Sequence, residues 1–371
     1  DRSADYTEPH QRKALEIYRD IIGRRTAAGH GQVPAMTEYL ADQFRAGGFP
    51  EEDVHVLPLH LPSGEETASL VVRYRGDGSS GKEPILLIAH MDVVDALPED
   101  WVRDPFTLIE EDGYFFGRGT LDDKFGVTML TTTFLRMKAA GWVPSRDLII
   151  GFTGDEETGM LSARALVTTH RELTDAEYAL NADAGGGSVG PQGEGIAYNL
   201  QTSEKTYATF DLTVRNPGGH SSTPRADNAI YELASALKNL EAFRFPVRTN
   251  ETTVRYFEAS ARVTDGELGE AMGRFAEESS DEWAADVLAG DPSHVGITRT
   301  TCVATMLGGG HAENALPQTA TAAVNCRIFP GVSVADVEAT LRQVVQNDAL
   351  EIQVRGEPTA SPASELKDDD E

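Results

Sequence analysis

A histidine and a carboxylate lie at the end of an apolar run near residue 90, which is typical of a buried strand. The run Pro84–His90 is followed by Met91 and Asp92. Residues two positions apart in a strand lie on one face, so His90 and Asp92 share a face if the strand continues that far. A metal-binding imidazole usually donates its other N–H to a carboxylate, which makes the pair suitable for a metal site. Taken alone, a satisfied core histidine or a strand-end hydrogen bond is the simpler interpretation.

Two further carboxylates lie in the glycine-rich segment Gly117–Lys124, directly before a predicted helix. An Asp at a helix N-cap accepts hydrogen bonds from free backbone amides, and that role alone explains Asp123. Asp122 lies one position earlier, where its two carboxylate oxygens are able to bridge two cations. Helix capping and metal bridging are therefore both open for this segment.

Three consecutive carboxylates, Asp155-Glu156-Glu157, follow a second apolar run, and Asp183 follows a third. Carboxylates that repel one another are most easily held beside cations. Neighbouring side chains point in different directions, so one carboxylate can bind a metal while the next takes a proton from water. A solvated acidic turn and a plain Asp turn are the alternatives for these two segments.

The elements between these segments alternate between strands and helices. Strands are predicted at 68–74, 84–90, 147–153 and 178–182, and helices at 10–25, 35–46, 123–140 and 160–170. This order predicts an α/β fold with a largely parallel sheet covered by helices. The carboxyl ends of parallel strands meet in one crevice, so the four segments are expected to converge there. Their His and carboxylate groups suit a two-metal zinc site, with Mn²⁺ or Co²⁺ as alternatives.

The pattern changes near Lys205 to the order β-α-β-β-α-β, which is the split ferredoxin-like unit. An acidic insertion, Asp265–Asp291, lies between its first helix and second strand and suits one or two surface helices. The predicted organisation is a catalytic domain at 1–204, an inserted α+β domain at 205–355, and a return towards the catalytic domain at 356–371.

Composition excludes several classes of protein. The chain has 371 residues and a net charge of −28, which argues against a nucleic-acid partner. The longest apolar stretch, about 85–94, is too short to span a bilayer, which requires ~20 residues. Cys302 and Cys326 are too far apart for a C-x-x-C motif, which leaves open a cross-strand disulfide or two buried thiols. Residue 1 is Asp, so an N-terminal segment is expected to have been removed; a periplasmic or secreted location is preferred to a cytoplasmic one.

The motifs together resemble the M20 family of metallopeptidases. The resemblance rests on His90-x-Asp92, Gly-Arg-Gly-x-x-Asp122-x-Lys, Glu156-Glu157, Asp183, Asn216-Pro-Gly-Gly-His220-Ser-Ser-x-Pro224 and Gly308-Gly-Gly-x-x-x-Asn314-x-x-Pro317. It runs from about residue 10 to the end of the chain. The fold that it implies is a zinc-peptidase-like catalytic domain with an inserted ferredoxin-like lid.

The resemblance implies a role for each matching residue. Asp122 would bridge two metal ions, with His90 and Asp183 on one ion and Glu157 on the other, while Asp92 orients His90. Glu156 would be the general base that deprotonates the attacking water. His220 would reach the oxyanion from the lid. Asn314 and Arg327 would bind the substrate, and Arg327 would bind the carboxylate of the substrate.

One departure from the family concerns the second metal ion. Family members complete it with a histidine in a late segment, but no histidine follows His311 in this chain. We therefore expect the C-terminal catalytic segment to be absent from the 371 residues. The alternative is that His311 substitutes as a ligand.

The main functional hypothesis is a dinuclear zinc amidohydrolase that cleaves dipeptides, C-terminal residues or N-acyl amino acids. The alternative is a truncated or inactive homologue that binds a metal or a peptide without hydrolysis. A third hypothesis, a related aminopeptidase, conflicts with the lid motifs. The resemblance also implies a homodimer through the lid, although monomers with an enlarged lid occur in the family.

Overall fold

The computed structural model describes residues 6–183, 186–190 and 192–361. The chain divides into two compact units, Asp1–Gly186 and Gly187–Glu371. This division precedes the boundary predicted at residue 204, and the domain limits remain predictions. Of the predicted return segment, 356–371, the structure describes residues 356–361, and the rest lies outside the described residues. None of the helices in the described part of the chain combines the length and apolar character that a membrane span requires.

The first unit alternates helices and strands along most of its length. In chain order its elements are α1 (Pro9–Ile22), α2 (Val33–Ala46), β1 (Val54–His60), β2 (Glu66–Tyr74), β3 (Ile85–His90), β4 (Ile109–Glu111), β5 (Tyr114–Phe116), α3 (Lys124–Ala139), β6 (Leu148–Thr153), α4 (Leu161–Thr168), α5 (Arg171–Thr174) and β7 (Tyr178–Asn181). Short 3-10 turns at Glu51–Asp53 and Pro98–Asp100 complete the set. The strand β1 and the hairpin β4–β5 were not predicted.

Five strands of this unit form a mixed sheet in the order β1-β2-β6-β3-β7. β3 is parallel to both β6 and β7, whereas β2 is antiparallel to β1 and to β6. The expectation of a largely parallel sheet therefore holds for β6, β3 and β7 only. The short connection from β1 to β2 turns the chain back on itself, and a connection of that length joins antiparallel strands.

Helices cover both faces of this sheet. α1, α2 and α3 pack on one face, where Leu70 and Val72 of β2 join their core. Val71, between them in sequence, points to the opposite face and packs with Leu166 of α4. The strand is apolar on both sides because both of its faces are buried.

The second unit contains the predicted β-α-β-β-α-β order with additions. Its elements are β8 (Gly186–Val189), which starts at the last residue of the first unit, then β9 (Gly195–Asn199), β10 (Thr206–Arg215), β11 (Gly219–His220), α6 (Ala229–Ala242), α7 (Glu251–Ala261), α8 (Gly266–Glu277), α9 (Glu282–Gly290), α10 (Val295–Thr298), β12 (Thr301–Gly309), β13 (Ala315–Leu316), β14 (Thr319–Ile328), α11 (Val334–Val345) and β15 (Glu351–Val354).

Four strands of the second unit form an antiparallel sheet in the order β12-β14-β10-β15. α6 and α11 share a core with one face of this sheet. The helical insertion, α7 to α10, has a separate core centred on Phe257, Phe275 and Leu288. Within the predicted bounds Asp265–Asp291 it contains two helices, α8 and α9, as expected, and α7 and α10 flank them.

A disulfide joins Cys302 of β12 to Cys326 of β14. The two residues lie directly opposite each other in the strand register, with their Cα atoms 4.1 Å apart. Of the two alternatives that the sequence left open, the structure therefore contains the cross-strand bond.

Candidate metal centre

The centre is built around His90 at the carboxyl end of β3. This strand lies between the parallel strands β6 and β7, so its end is surrounded by the loops that follow them. The His90 side chain is only 3% exposed. Its Nδ1 lies 3.0 Å from the backbone oxygen of Asp92, and its Nε2 lies 2.9 Å from Oδ1 of Asp122 and 3.7 Å from Oδ1 of Asp183. One imidazole therefore brings three of the predicted segments together.

Asp92 holds the acidic turn that follows β6. Its Oδ1 accepts the backbone N–H of Glu156 at 3.1 Å, and its Oδ2 accepts that of Glu157 at 3.0 Å. The carboxylate of Asp92 lies farther from the His90 ring, at 3.6 Å. Sequence reasoning assigned Asp92 only to His90 and missed this link to the turn.

Asp155 is a structural member of the same turn. Its carboxylate accepts the backbone N–H groups of Leu161 and Ser162 at 2.9 and 2.8 Å, in the first turn of α4. Free amides at the start of a helix favour such an acceptor. Asp155 is thereby occupied, which leaves Glu156 and Glu157 to face the centre.

Asp123 is completely buried and does not cap α3, although it occupies the N-cap position. Its Oδ2 accepts the backbone N–H of His90 at 3.1 Å. Its Oδ1 lies against Gly126, where an added Cβ would approach this oxygen to 2.2 Å. The capping role expected from the sequence is therefore wrong, because the side chain turns inward to β3. Burial raises the pKa of Asp123 to about 7.

Three bonds, to α1 and to the residues just after it, hold the loop that carries Asp122. The Tyr18 hydroxyl donates to the backbone oxygen of Thr120 at 2.6 Å. The ammonium of Lys124 is fully buried and donates to the backbone oxygens of Ile21 and Arg24 at 2.8 and 2.6 Å. Sequence reasoning identified Lys124 as part of a motif but gave it no role.

Gly119 allows this loop to pass over the Lys124 side chain. Its φ of +86° favours glycine, and an added Cβ would lie 3.0 Å from Cδ of Lys124 and 3.1 Å from Cγ1 of Val93. A larger residue would push the loop away from these neighbours. The glycine therefore contributes to the position of Asp122.

Two overlapping groups of residues have side-chain donor atoms within 4.8 Å of one another. One group is His90, Glu156 and Asp183, and the other is His90, Asp122 and Glu157. All five residues were predicted from the sequence. Neither group contains His311, which lies in the second unit.

The charges of the centre favour a cation. Burial alone lowers the pKa of His90, but the surrounding carboxylates, chiefly Asp92, outweigh it and raise that pKa to about 10. Burial and neighbouring carboxylates also raise the pKa values of Glu156 and Glu157. A divalent ion would satisfy the same negative potential. Imidazole and carboxylate donors around the buried His90 therefore fit a metal site.

The predicted lid residues lie in the second unit. His220 is exposed on β11, and its Nδ1 accepts the backbone N–H of Ser222 at 3.2 Å. In the neutral ring this acceptor leaves the proton on Nε2. The N–H of Ser221 donates to the oxygen of Asn314 at 2.9 Å, which ties the two motif loops together. Arg327 is exposed on β14.

His311 lines a cavity of the second unit with a volume of about 530 Å³. The cavity lies beside the start of α6 and the loop that precedes Asn314. Its lining residues include Ser221, Asn228, Tyr231, His311, Glu313 and Leu316.

A family model described as peptidase family M20/M25/M40 matches residues 86–364. The chain belongs to this family. The M20 chain is 32% identical over 280 residues to N-fatty-acyl-amino acid synthase/hydrolase PM20D1 of Xenopus tropicalis, covering 73% of this chain and 53% of that protein. It is 30% identical over 296 residues to probable carboxypeptidase S-like 2 of Dictyostelium discoideum, covering 76% and 55%. The chain thus spans about half the length of these curated relatives.

Solved M20 structures share the fold. Human carnosine dipeptidase 1 superposes with a TM-score of 0.63 at 17% identity, covering 96% of this chain and 79% of that one. The M20 metallo-carboxypeptidase of Sulfolobus solfataricus gives 0.64 at 17% identity, covering 94% and 79%. The M20 family is metal-dependent and hydrolytic, and the two ligand groups of this chain agree with that chemistry.

Proposed function

We propose that this M20 chain hydrolyses the amide bond of small peptides or N-acyl amino acids with the help of two divalent metal ions. The observation that carries the proposal is the pair of overlapping ligand groups around the buried His90. By their names, the relatives act on N-fatty-acyl amino acids and as carboxypeptidases. Both kinds of substrate contain an amide bond next to a residue that ends in a free carboxylate.

The predicted ligands would hold two metal ions. His90 and Asp183 would hold one ion and Glu157 the other, with Asp122 between them; zinc suits these donors, with Mn²⁺ or Co²⁺ as alternatives. When bound, such ions polarise a carbonyl group and lower the pKa of an attacking water.

Glu156 is the proposed general base. Its backbone is anchored by Asp92, and its carboxylate lies within reach of His90 and Asp183. Its raised pKa, caused first by burial, makes the carboxylate a stronger proton acceptor than an exposed Glu. Glu156 would take a proton from the attacking water and deliver it to the leaving amine nitrogen, which restores the carboxylate.

The second unit would supply the remaining groups. The Nε2–H of His220 would donate to the carbonyl oxygen as negative charge develops on it. Asn314 would bind the substrate amide. Arg327 would bind the substrate carboxylate through its planar guanidinium.

Metal content and hydrolysis test this function together. The chain is dialysed with zinc, and its zinc content is measured by elemental mass spectrometry before assay with dipeptides and N-acyl amino acids. We expect about two ions per chain and hydrolysis that a chelator abolishes. His90→Ala is the matched control, because His90 belongs to both ligand groups. One ion or none, without hydrolysis, would favour a metal- or peptide-binding protein instead.

We also propose a homodimer through β12, one of the two edge strands of the four-stranded sheet. Val303, Met306 and Leu307 of this strand are 59%, 64% and 73% exposed. An edge strand with exposed apolar side chains pairs readily with another strand. Sedimentation should show a dimer that Leu307→Lys converts to a monomer. A monomeric wild-type chain would contradict the proposal.

A further inference from the structure

Three residues form a row across the open face of the four-stranded sheet. Arg327 of β14 lies directly opposite Tyr207 of β10 on one side and Thr301 of β12 on the other. Directly opposed residues in a sheet point to the same face. Their sequence neighbours Cys326 and Ile328 point the other way, into the core with α6 and α11. The row is therefore on the face that these helices do not cover.

The guanidinium of Arg327 is held in this row by an aromatic ring. Its Cζ lies 4.7 Å from the centroid of Tyr207, and both side chains are exposed. A guanidinium on a ring face keeps its N–H donors free at its edge. Arg327 is thus oriented without using its hydrogen-bond donors.

A second cation reaches the other end of the row. The ammonium of Lys205 donates to the hydroxyl oxygen of Thr301 at 3.2 Å and to the backbone oxygen of Arg299 at 2.9 Å. Neighbouring strands are about 5 Å apart, so the Thr301 hydroxyl places this ammonium near Arg327. Burial and the charge of Arg327 lower the pKa of Lys205 to about 8.

Neither cation has an acidic partner in the part of the chain that the structure describes. Lys205 and Arg327 form no ion pair with a described carboxylate, in a chain with 60 acidic residues. Asp211, farther along the same face of β10, is already paired with Arg355, whose Nε lies 3.1 Å from Oδ2. The row therefore carries two positive charges that no described group of the protein neutralises.

We infer that Lys205 and Thr301 complete, with Arg327, a subsite for the carboxylate of the substrate. Two of the three ammonium N–H groups are used by the protein, which leaves one for a ligand. The Thr301 hydroxyl accepts from Lys205, so its own proton is directed to a further acceptor. A carboxylate has the planar shape and acceptor number to engage all three groups.

This inference rests on the proposed function and narrows its substrate class. Substrates with a free α-carboxylate, namely N-acyl amino acids and peptides cut before the last residue, would be preferred. The corresponding carboxamides would leave the two cations unpaired. Lys205 would act as a specificity-determining residue, separate from the metal ligands.

Binding to the full chain without added metal tests the subsite, because the ligand then stays intact. N-acetyl-L-leucine and N-acetyl-L-leucinamide are titrated by NMR against wild type, Lys205→Met and Arg327→Met. We expect the carboxylate to bind at least tenfold more tightly than the carboxamide to wild type. Loss of one charge-assisted hydrogen bond should weaken carboxylate binding about tenfold in Lys205→Met and leave carboxamide binding within about twofold.

Three further variants separate binding from folding. Lys205→Arg keeps the charge and should retain most of the preference, whereas Thr301→Val should lose about threefold. Lys238→Met, at an exposed lysine paired with Glu241, should change nothing. A merely structural Lys205 would leave the carboxylate-to-carboxamide ratio unchanged in Lys205→Met, and that result would overturn the inference.

Two other results have distinct meanings. Inorganic phosphate that binds as tightly as N-acetyl-L-leucine, and is lost equally in Lys205→Met, would show a general anion site and overturn the substrate assignment. If the zinc-loaded chain hydrolyses no amide while the carboxylate preference still depends on Lys205, the subsite is supported and the proposed hydrolysis fails.

Discussion

The ammonium of Lys124 lies 2.8 Å from the backbone oxygen of Ile21, in the last turn of α1. Lys124 is the first residue of α3, and Asp122 lies two positions before it. Asp122 itself is exposed, so packing of its own side chain does little to fix its position. The N-terminal helix therefore holds a loop whose carboxylate is a proposed metal bridge.

Lys124→Met is expected to weaken metal binding about tenfold or more. The change keeps the length of the side chain but removes the bonds to Ile21 of α1 and to Arg24 just after it, so Asp122 loses a fixed position. Changes to groups that support metal ligands typically cost 10–100-fold in affinity. Zinc affinity is measured by competition with a chromophoric chelator. Tyr18→Phe should have a smaller effect of the same sign, and Lys13→Met on the surface of α1 should have none. Equal affinities in all variants would argue against this role of α1.

Glu156→Gln is expected to lower kcat by 10²–10⁴-fold while the metal content stays near that of wild type. The amide keeps the shape of the side chain but cannot take a proton from water. Its matched control is Glu157→Gln, which should lose metal because Glu157 is a proposed ligand. Steady-state kinetics and elemental analysis on the same samples give both quantities. Full activity of Glu156→Gln would remove it as the base.

His220→Ala is expected to lower kcat by about 10²–10³-fold without loss of metal, because a donor to the developing oxyanion acts in the transition state. His311→Ala, another exposed histidine of the same unit, is the control and should retain activity. If His220→Ala changed KM alone, the proposed oxyanion role would be wrong.

Removing the disulfide by Cys302→Ser with Cys326→Ser is expected to lower the free energy of unfolding of the second unit by about 3 kcal/mol. The bond closes a loop with a sequence separation of 24, and a loop of that size restricts the unfolded chain by about this amount. Urea unfolding of oxidised wild type and of the double variant measures the difference. No difference would mean that the strands β12 and β14 do not need the bond.

The free energy of unfolding of the second unit is expected to increase as the pH rises from about 8 to 10.5, because of Lys205. Its pKa is lowered by burial to about 8 in the folded chain, against an ordinary value of 10.5. Between these values the unfolded chain binds the proton and the folded chain does not, so raising the pH favours folding. Below pH 8 the lysine is charged in both states and this contribution is constant. Urea unfolding of Lys205→Met should show a weaker pH dependence across this window than wild type.

Apolar periodicity predicted most elements of the fold, but not the strand β1. Its sequence, Val54–His60, contains Pro58 and two histidines and lacks a long apolar run. It is a strand because it pairs with β2 along its whole length. Such pairing depends on a partner elsewhere in the chain, which a local pattern does not reveal. The antiparallel half of the sheet was missed for the same reason.

The candidate ligands were predictable because each residue follows a strand with an apolar sequence or a glycine-rich turn. The groups that support them were not. Asp123 looked like a helix cap, yet its carboxylate binds the backbone of His90. Lys205 stands immediately before a strand, and only the pairing of β12 with β14 places it near Arg327. Long-range register therefore decides where these supporting groups lie, while local spacing was enough to predict the candidate ligands.

The helical insertion has a core of its own, with Phe257, Phe275 and Leu288 fully buried away from the core of the four-stranded sheet. The insertion nevertheless touches the residues around Arg327 at one point. The backbone oxygen of Arg299 accepts the Lys205 ammonium, and the Arg299 guanidinium donates to the backbone oxygen of Ala285 in α9. Local opening of the insertion would therefore disturb Lys205 while the core of the four-stranded sheet stays folded.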